Sequence, residues 1–364
     1  MKSISFFIEK LLNHEHLDIN EAAFLYKNAA LADLMCAANK FRKSIHPNNI
    51  VTWIIDRNVN ITNACISQCK FCSFCTKPNA DDVFITSIDQ YREKIRELTK
   101  LGGCQLLLQG GLHPLLDINY YENLFIQLKS EFPQLKLHAL GPPEIVYIAK
   151  ISNLSIEDTL SRLVSAGLDS LPGAGAEILV DRVRSIVSPA KATASQWLSV
   201  MKIAHEMGLI TSATMMYGHL ETIEERIQHL FSIRDLQQNV TNGNPGFLAF
   251  IPWPFMRDHT RLNHMDYNLP TYSASEYLRL IAFSRLVLYN VPNIQASWLT
   301  IGKEVAKIAL TAGANDLGSI MIEENVVSST GVSITMTKEQ MVQTIQEAGY
   351  IPKIRNQAYQ IVKN

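Results

Sequence analysis

The chain has 364 residues, 47% of them hydrophobic and 18% charged, enough to bury a large core as one big α/β domain or two smaller ones. A formal net charge of −1 with no polybasic run argues against a nucleic-acid partner or a membrane-surface role. The amphipathic start is broken by Glu9 and Lys10, and no segment approaches the ~20 apolar residues of a membrane span, so a cytoplasmic protein is expected.

Residues 1–45 read as helices. Ile8, Leu11 and Leu12 share a face, Ala22–Phe41 is rich in Ala and Leu, and Asp18 with Glu21 has capping-box spacing ahead of it. After Pro47 the pattern becomes strand-then-helix. Val51–Ile55 reads as a strand, followed by a cysteine loop and a helix near Ile88–Lys100. Strands at Cys104–Leu108 and Leu135–Leu140 flank a helix at Tyr120–Ser130. Helices follow over Pro143–Lys150 and Ile156–Ala166, then a short strand at Leu168–Leu171. Ala176–Ile186 and Ala194–Met207 read as helices, Ile210–Met216 as a strand, Ile223–Gln237 as a helix and Gly246–Pro252 as a strand. The end repeats the alternation: helix Ser275–Tyr289, strand Asn293–Ser297, helix Lys303–Thr311, strand Asp316–Met321 and helix Lys338–Ala348. About eight strands separated by helices predict a parallel sheet, and over ~300 residues a (β/α)8 TIM-like barrel suits them better than an open sheet. The expected organisation is a helical extension over residues 1–48 and a barrel with a C-terminal helix over 49–364.

Of six cysteines, Cys65, Cys69, Cys72 and Cys75 fall within eleven residues, while Cys36 and Cys104 stand alone and read as buried small hydrophobes. Three thiolates at spacings of four and three residues can wrap one face of an iron–sulfur cube, leaving one iron open. A zinc site using all four, or a redox Cys-x-x-Cys pair, is the plainer alternative. Zinc sites usually pair two separated knuckles, and no second knuckle is present. Cys75 reads as an incidental loop residue. Barrel chemistry sits where strands end, and three further motifs lie there. Gln109-Gly110-Gly111 allows close approach of backbone to a ligand, or forms only a tight turn. Glu177, after Gly173-Ala174-Gly175-Ala176, is either a helix-starting acid or an acceptor for ribose hydroxyls. Tyr217-Gly218-His219 places a titratable ring at a strand end, with His219 the candidate for proton transfer and Glu221 a helix-starting acid. His113 reads as a satisfied loop histidine.

Cys65-x-x-x-Cys69-x-Phe71-Cys72 resembles the signature of radical S-adenosylmethionine (SAM) enzymes. The resemblance implies a 4Fe-4S cluster held by Cys65, Cys69 and Cys72, whose open iron chelates SAM and reduces it to methionine and a 5′-deoxyadenosyl radical. It also implies SAM contacts from Phe71, Gln109, Gly110, Gly111, Glu177, Tyr217 and Gly218. Gln109–Pro114, Pro172–Leu179 and Thr214–His219 look like the group that makes menaquinone precursors by the futalosine route and the deazaflavin of factor 420. Trp53–Asn58, Phe250–Trp253 and Gly313–Asn325 look most like the family that cyclises dehypoxanthine futalosine, with aminofutalosine synthase and deazaflavin-pathway enzymes as rivals. Cys75, where that family has an aromatic residue, and Met256–His259 depart from its pattern. The resemblance further implies a reductant such as flavodoxin or ferredoxin, and a carboxylate partner for which Arg57 or Arg257 could serve. From another class, a zinc or iron–sulfur carrier protein would need neither the glycine strand end nor a substrate-sized barrel mouth.

Overall fold

Ten strands organise the chain in the computed structural model, which describes residues 2–241, 243–331 and 335–362. They are β1 (Ile50–Ile54), β2 (Asp56–Asn60), β3 (Gln105–Gln109), β4 (Lys136–Ala139), β5 (Ser170–Leu171), β6 (Ile210–Tyr217), β7 (Phe247–Pro254), β8 (Asn293–Ile294), β9 (Asp316–Ser319) and β10 (Ile351–Ile354). Strands β2 to β8 form one parallel sheet in chain order, because each is followed by a helix that returns the chain to the same end. β9 touches the β8 side through the Gln295–Asp316 bridge and pairs with β1 at Thr52–Asp316 and Ile54–Ser319. Only Ile55 separates β1 from β2, so β9 and the β1–β2 run carry the curled sheet round to its starting edge. That is the barrel architecture expected from the alternation. β10 adds outside it, parallel to β1 from Ile50–Ile351 to Trp53–Ile354.

Local rules explain most elements. Ser87 and Gln90 form a capping box for helix Ile88–Lys100, which buries Tyr91, Ile95 and Leu98 on one stripe. Asp18 and Glu21 do the same for helix Ile19–Asn28. The long Ala-rich helix expected from Ala22 to Phe41 is instead two, Ile19–Asn28 and Leu31–Ile45, with Ala29 and Ala30 extended between them. The break has a distant cause: Arg279 donates to the carbonyls of Tyr26 (2.9 Å) and Ala29 (2.8 Å), supplying a C-terminal cap that no local residue announces.

Three other expectations need correction. The chain does not enter its cysteine loop after Ile55 but continues as β2, whose Asp-Arg-Asn-Val-Asn sequence looks unlike a strand because its inward face is polar. No helix begins at Ala176: the helix is Asp181–Val187, and Glu177 lies in an open segment at φ 42°. Cys36 and Cys104 are exposed rather than buried. In helix Leu31–Ile45 the buried stripe is Leu34, Ala37, Ala38 and Phe41, which leaves Cys36 off it.

Candidate active site

A cavity of about 410 Å³ opens at the carboxyl ends of the strands. Period-two alternation decides which side chains reach it: Asn58 and Asn60 from β2, Leu107 and Gln109 from β3, His138 from β4, Ser212, Thr214 and Met216 from β6, and Ile251 and Trp253 from β7. The cysteine loop forms one wall, with Cys65, Cys69, Cys72, Cys75 and Phe71 all lining the cavity. Backbone pairs pin that loop: Cys65 N–H donates to Thr76 O (2.9 Å), Ile66 N–H to Leu112 O (3.1 Å) and Lys70 N–H to Val187 O (2.8 Å).

Donors already surround the sulfurs. Leu112 N–H and Ser67 N–H reach Cys65 Sγ at 3.3 and 3.4 Å, and Ser67 Oγ lies 3.1 Å from Cys69 Sγ. Such donors favour thiolates, the form that binds soft metals. The Cys75 thiol beside it, with help from Ser67, holds the Cys65 thiol down to about 5. Gly111 explains how the β3 end fits so closely: a Cβ there would lie 2.1 Å from Ala64 O, inside the cysteine loop's backbone. Gly110 lines the cavity, but its Cβ would press on Ile61 and Thr62 at 3.1–3.2 Å, so these glycines are needed for the strand end to pack against the loop. Three thiols from one loop, bathed in N–H and O–H donors, fit an iron–sulfur cluster. Among the described residues no three His, Cys, Asp or Glu side chains close around a single ion, and a four-iron cube is much wider than one ion.

Opposite charges meet beside the loop. Lys191 Nζ bonds Glu177 Oε1 at 2.8 Å and lies 5.3 Å from the Phe71 ring centre, and both charged residues line the cavity. Burial favours a neutral Glu177, but the Lys191 and Arg184 cations outweigh it and hold the carboxyl below its ordinary value. Burial likewise opposes the Lys191 charge, yet Cys69, Glu177 and Glu144 push it upward. Glu177 keeps its left-handed backbone because its carbonyl accepts from Met216 N–H (3.1 Å), while Arg184 holds the carbonyls of Gly175 and Ala176. Glu144, 8% exposed at the start of helix Pro142–Ile151, also lines the cavity. Burial pushes it up to about 7, only partly offset by Lys191.

Because the Glu144 value lies above the ordinary 4.5, folding favours its neutral form. Its contribution is full below about pH 4.5 and is lost as pH rises through about 7. Glu144→Gln is therefore expected to be more stable than wild type at pH 8, by on the order of 1–3 kcal/mol, and no more stable at pH 4.5. Anaerobic thermal midpoints at the two pH values check this.

The Tyr217-Gly218-His219 turn falls elsewhere. Met216 faces the cavity, so Tyr217 points to the opposite side, where it packs near Tyr277 (6.5 Å between ring centres) and under Arg226 (4.8 Å). Gly218, at φ 85°, donates its N–H to Glu221 Oε1 at 2.6 Å. His219 is buried off the cavity, its Nε2–H donating to Met216 O (3.0 Å) and its Nδ1 accepting from Leu220 N–H (2.7 Å). Burial lowers its pKa, and neither ring nitrogen is free for substrate. His219 thus braces the turn, as does Glu221, paired to Arg226 at 2.7 Å. His219→Gln is expected to lower stability by about 1–2 kcal/mol while leaving product formed per 5′-deoxyadenosine unchanged. A fall in that ratio under anaerobic turnover would restore a substrate role to His219. Arg57 and Arg257 also miss the cavity: Arg57 is paired with Glu97 and Glu323 on the outer face of β2, and Arg257 bonds Asn263. His113 accepts from Leu115 N–H, as a satisfied loop histidine should.

Family models agree with the site. The radical SAM superfamily model matches residues 59–233, and the CofH/MqnC C-terminal region matches 244–364. The chain is 40% identical, over 99% of its length and 95% of the relative's, to the cyclic dehypoxanthine futalosine synthase of Halalkalibacterium halodurans. It belongs to the radical SAM superfamily. Its identity to the enzyme of the same name from Streptomyces coelicolor is 42%, covering 93% of this chain and 84% of that one. A 5-amino-6-(D-ribitylamino)uracil--L-tyrosine 4-hydroxyphenyl transferase of Methanosarcina barkeri is 37% identical over 88% of this chain and 85% of its own. The fold is similar to that of methylornithine synthase, with TM-score 0.71 at 19% identity, covering 97% and 98% of the two chains. Membership implies a 4Fe-4S cluster and SAM. Among the described residues no helix is long and apolar enough to cross a membrane.

The sequence motifs thus lead to a site that unites Cys65, Cys69, Cys72, Phe71, Gln109, Gly110 and Glu177 round one cavity. Gly111 stands behind it, and Tyr217, Gly218 and His219 stand apart. Sequence reasoning missed Lys191, which sits in no motif, and Glu144, whose place after Pro142-Pro143 reads only as a helix start.

Proposed function

We infer that this enzyme converts dehypoxanthine futalosine to cyclic dehypoxanthine futalosine in menaquinone biosynthesis. The observation that carries the reading is the 40–42% identity to two synthases of that name along nearly the whole chain. In this reading Cys65, Cys69 and Cys72 hold the 4Fe-4S cluster, the Gln109–Gly111 strand end receives the SAM amino acid, and Glu177 accepts hydrogen bonds from its ribose. The cluster and SAM, when bound, supply reductive cleavage of the sulfonium and with it a hydrogen-abstracting radical. The chain's own tasks are to hold the substrate C–H in reach and to exclude water. Leu107, Met216, Trp253 and Trp298 give the cavity dry walls, while Asn58, Asn60, Ser212 and Thr214 offer donors and acceptors that suit a sugar. Ring closure ends with loss of one electron, which passes to the flavodoxin or ferredoxin couple, and of one proton, and a Glu144 carboxylate oxygen, balanced near neutral pH, is the acceptor we assign to that proton. A flavodoxin or ferredoxin serves as reductant.

Anaerobic incubation of the iron-loaded protein with SAM, reductant and dehypoxanthine futalosine tests the reading. The expected product is two hydrogens lighter than the substrate, with 5′-deoxyadenosine released. No conversion here, with turnover of 5-amino-6-(D-ribitylamino)uracil and tyrosine instead, would move the chain to the transferase branch.

A further inference from the structure

Cys75 has no part in the function proposed above. Yet Cys69-x-x-Cys72-x-x-Cys75 is itself an iron–sulfur spacing that overlaps the first. The structure places the Cys75 side chain in the wall of the same cavity that Cys65, Cys69 and Cys72 line. Its backbone is pinned there by the Ala64–Thr76 bridge, with Cys65 N–H donating to Thr76 O (2.9 Å) and Thr76 N–H to Asn63 O (3.0 Å). Four thiols therefore face one cavity, whereas Cys36 and Cys104 are exposed away from it. Three thiolates satisfy three irons of a cube. The fourth iron still requires a ligand before SAM arrives, and a soft thiolate a few residues from Cys72 matches it better than water.

We propose that in the SAM-free enzyme the Cys75 thiolate ligates the fourth iron of the cluster, and that SAM displaces it. The proposal rests on the cluster assignment above. The step is ligand exchange: the iron–Cys75 sulfur bond breaks, bonds form to the SAM amino nitrogen and carboxylate oxygen, and Cys75 takes up a proton. No electron moves. Two consequences follow. Before SAM binds, the fourth iron is shielded from loss, and SAM must compete with an internal ligand, which weakens its apparent affinity.

The test compares wild type, Cys75→Ala and Cys75→Ser, each reconstituted anaerobically with ⁵⁷Fe and examined by Mössbauer spectroscopy with and without SAM. Wild type is expected to show four similar, thiolate-ligated irons without SAM and three plus one with it. Both variants should already show three plus one without SAM, bind SAM on the order of tenfold more tightly, and lose the fourth iron faster on mild oxidation. A three-plus-one spectrum in SAM-free wild type, matching Cys75→Ala, overturns the proposal alone. Iron loss in both variants as complete as in Cys69→Ala overturns it too, by making Cys75 a permanent ligand. A wild-type protein that takes up no iron overturns the cluster assignment and this proposal with it.

Discussion

Cys69→Ala is expected to reduce bound iron and sulfide to near zero and to abolish 5′-deoxyadenosine release. Cys69 is the middle thiol of the loop and is almost fully buried. Ser67 Oγ sits at 3.1 Å and the Lys191 cation favours its charged form, although burial as a whole pushes its pKa up. A cube deprived of that terminal ligand would expose a second iron inside a cavity already open to SAM, and each iron requires a ligand to stay bound. The backbone should survive the change. Lys70 N–H to Val187 O (2.8 Å) and the Arg261 bonds to Gln68 and Cys69 carbonyls hold the loop without using the sulfur. Cys104→Ala, at an exposed thiol, serves as the control and should load iron like wild type. Full iron content in Cys69→Ala would show that this thiol is not a ligand.

The cysteine loop was legible because its information is short-range: a spacing of a few residues sets which thiols share a wall. Helices with local caps, such as Ile88–Lys100 behind Ser87 and Gln90, were legible for the same reason. What failed depends on contacts made far along the chain. The break at Ala29 is made by Arg279, some 250 residues away. Strand β2 carries polar Asn58 and Asn60 because its inner face is a binding wall, and that polarity disguises it as loop. The position of His219 off the cavity is also readable from the sequence. Alternation along β6 puts Ser212, Thr214 and Met216 on one face, which already sends Tyr217 to the other. A motif at a strand end shows that a turn is special without showing which of its side chains face the ligand.

Lys191 had no such signal, and its removal is expected to be the costliest change outside the cysteines. Lys191→Met keeps the length of the side chain but deletes the cation that Glu177 touches at 2.8 Å. Glu177 is only 4% exposed, so its carboxylate would lose its nearest compensation while Arg184 remains committed to backbone carbonyls. Breaking a buried pair in this way costs about 3–5 kcal/mol, because one charge is left without a partner. Glu177 then titrates upward, since the cation that offsets its burial is gone. SAM affinity should fall, and fall most at the acid end of the usable pH range, where the carboxyl becomes neutral and no longer accepts two hydroxyl hydrogens. The double variant Lys191→Met, Glu177→Gln separates pairing from packing. With no buried charge left to strand, it should recover much of the lost stability yet none of the SAM affinity. Additive losses in stability would show that Lys191 and Glu177 act independently. Unchanged SAM binding in Glu177→Gln would remove the ribose from this carboxylate.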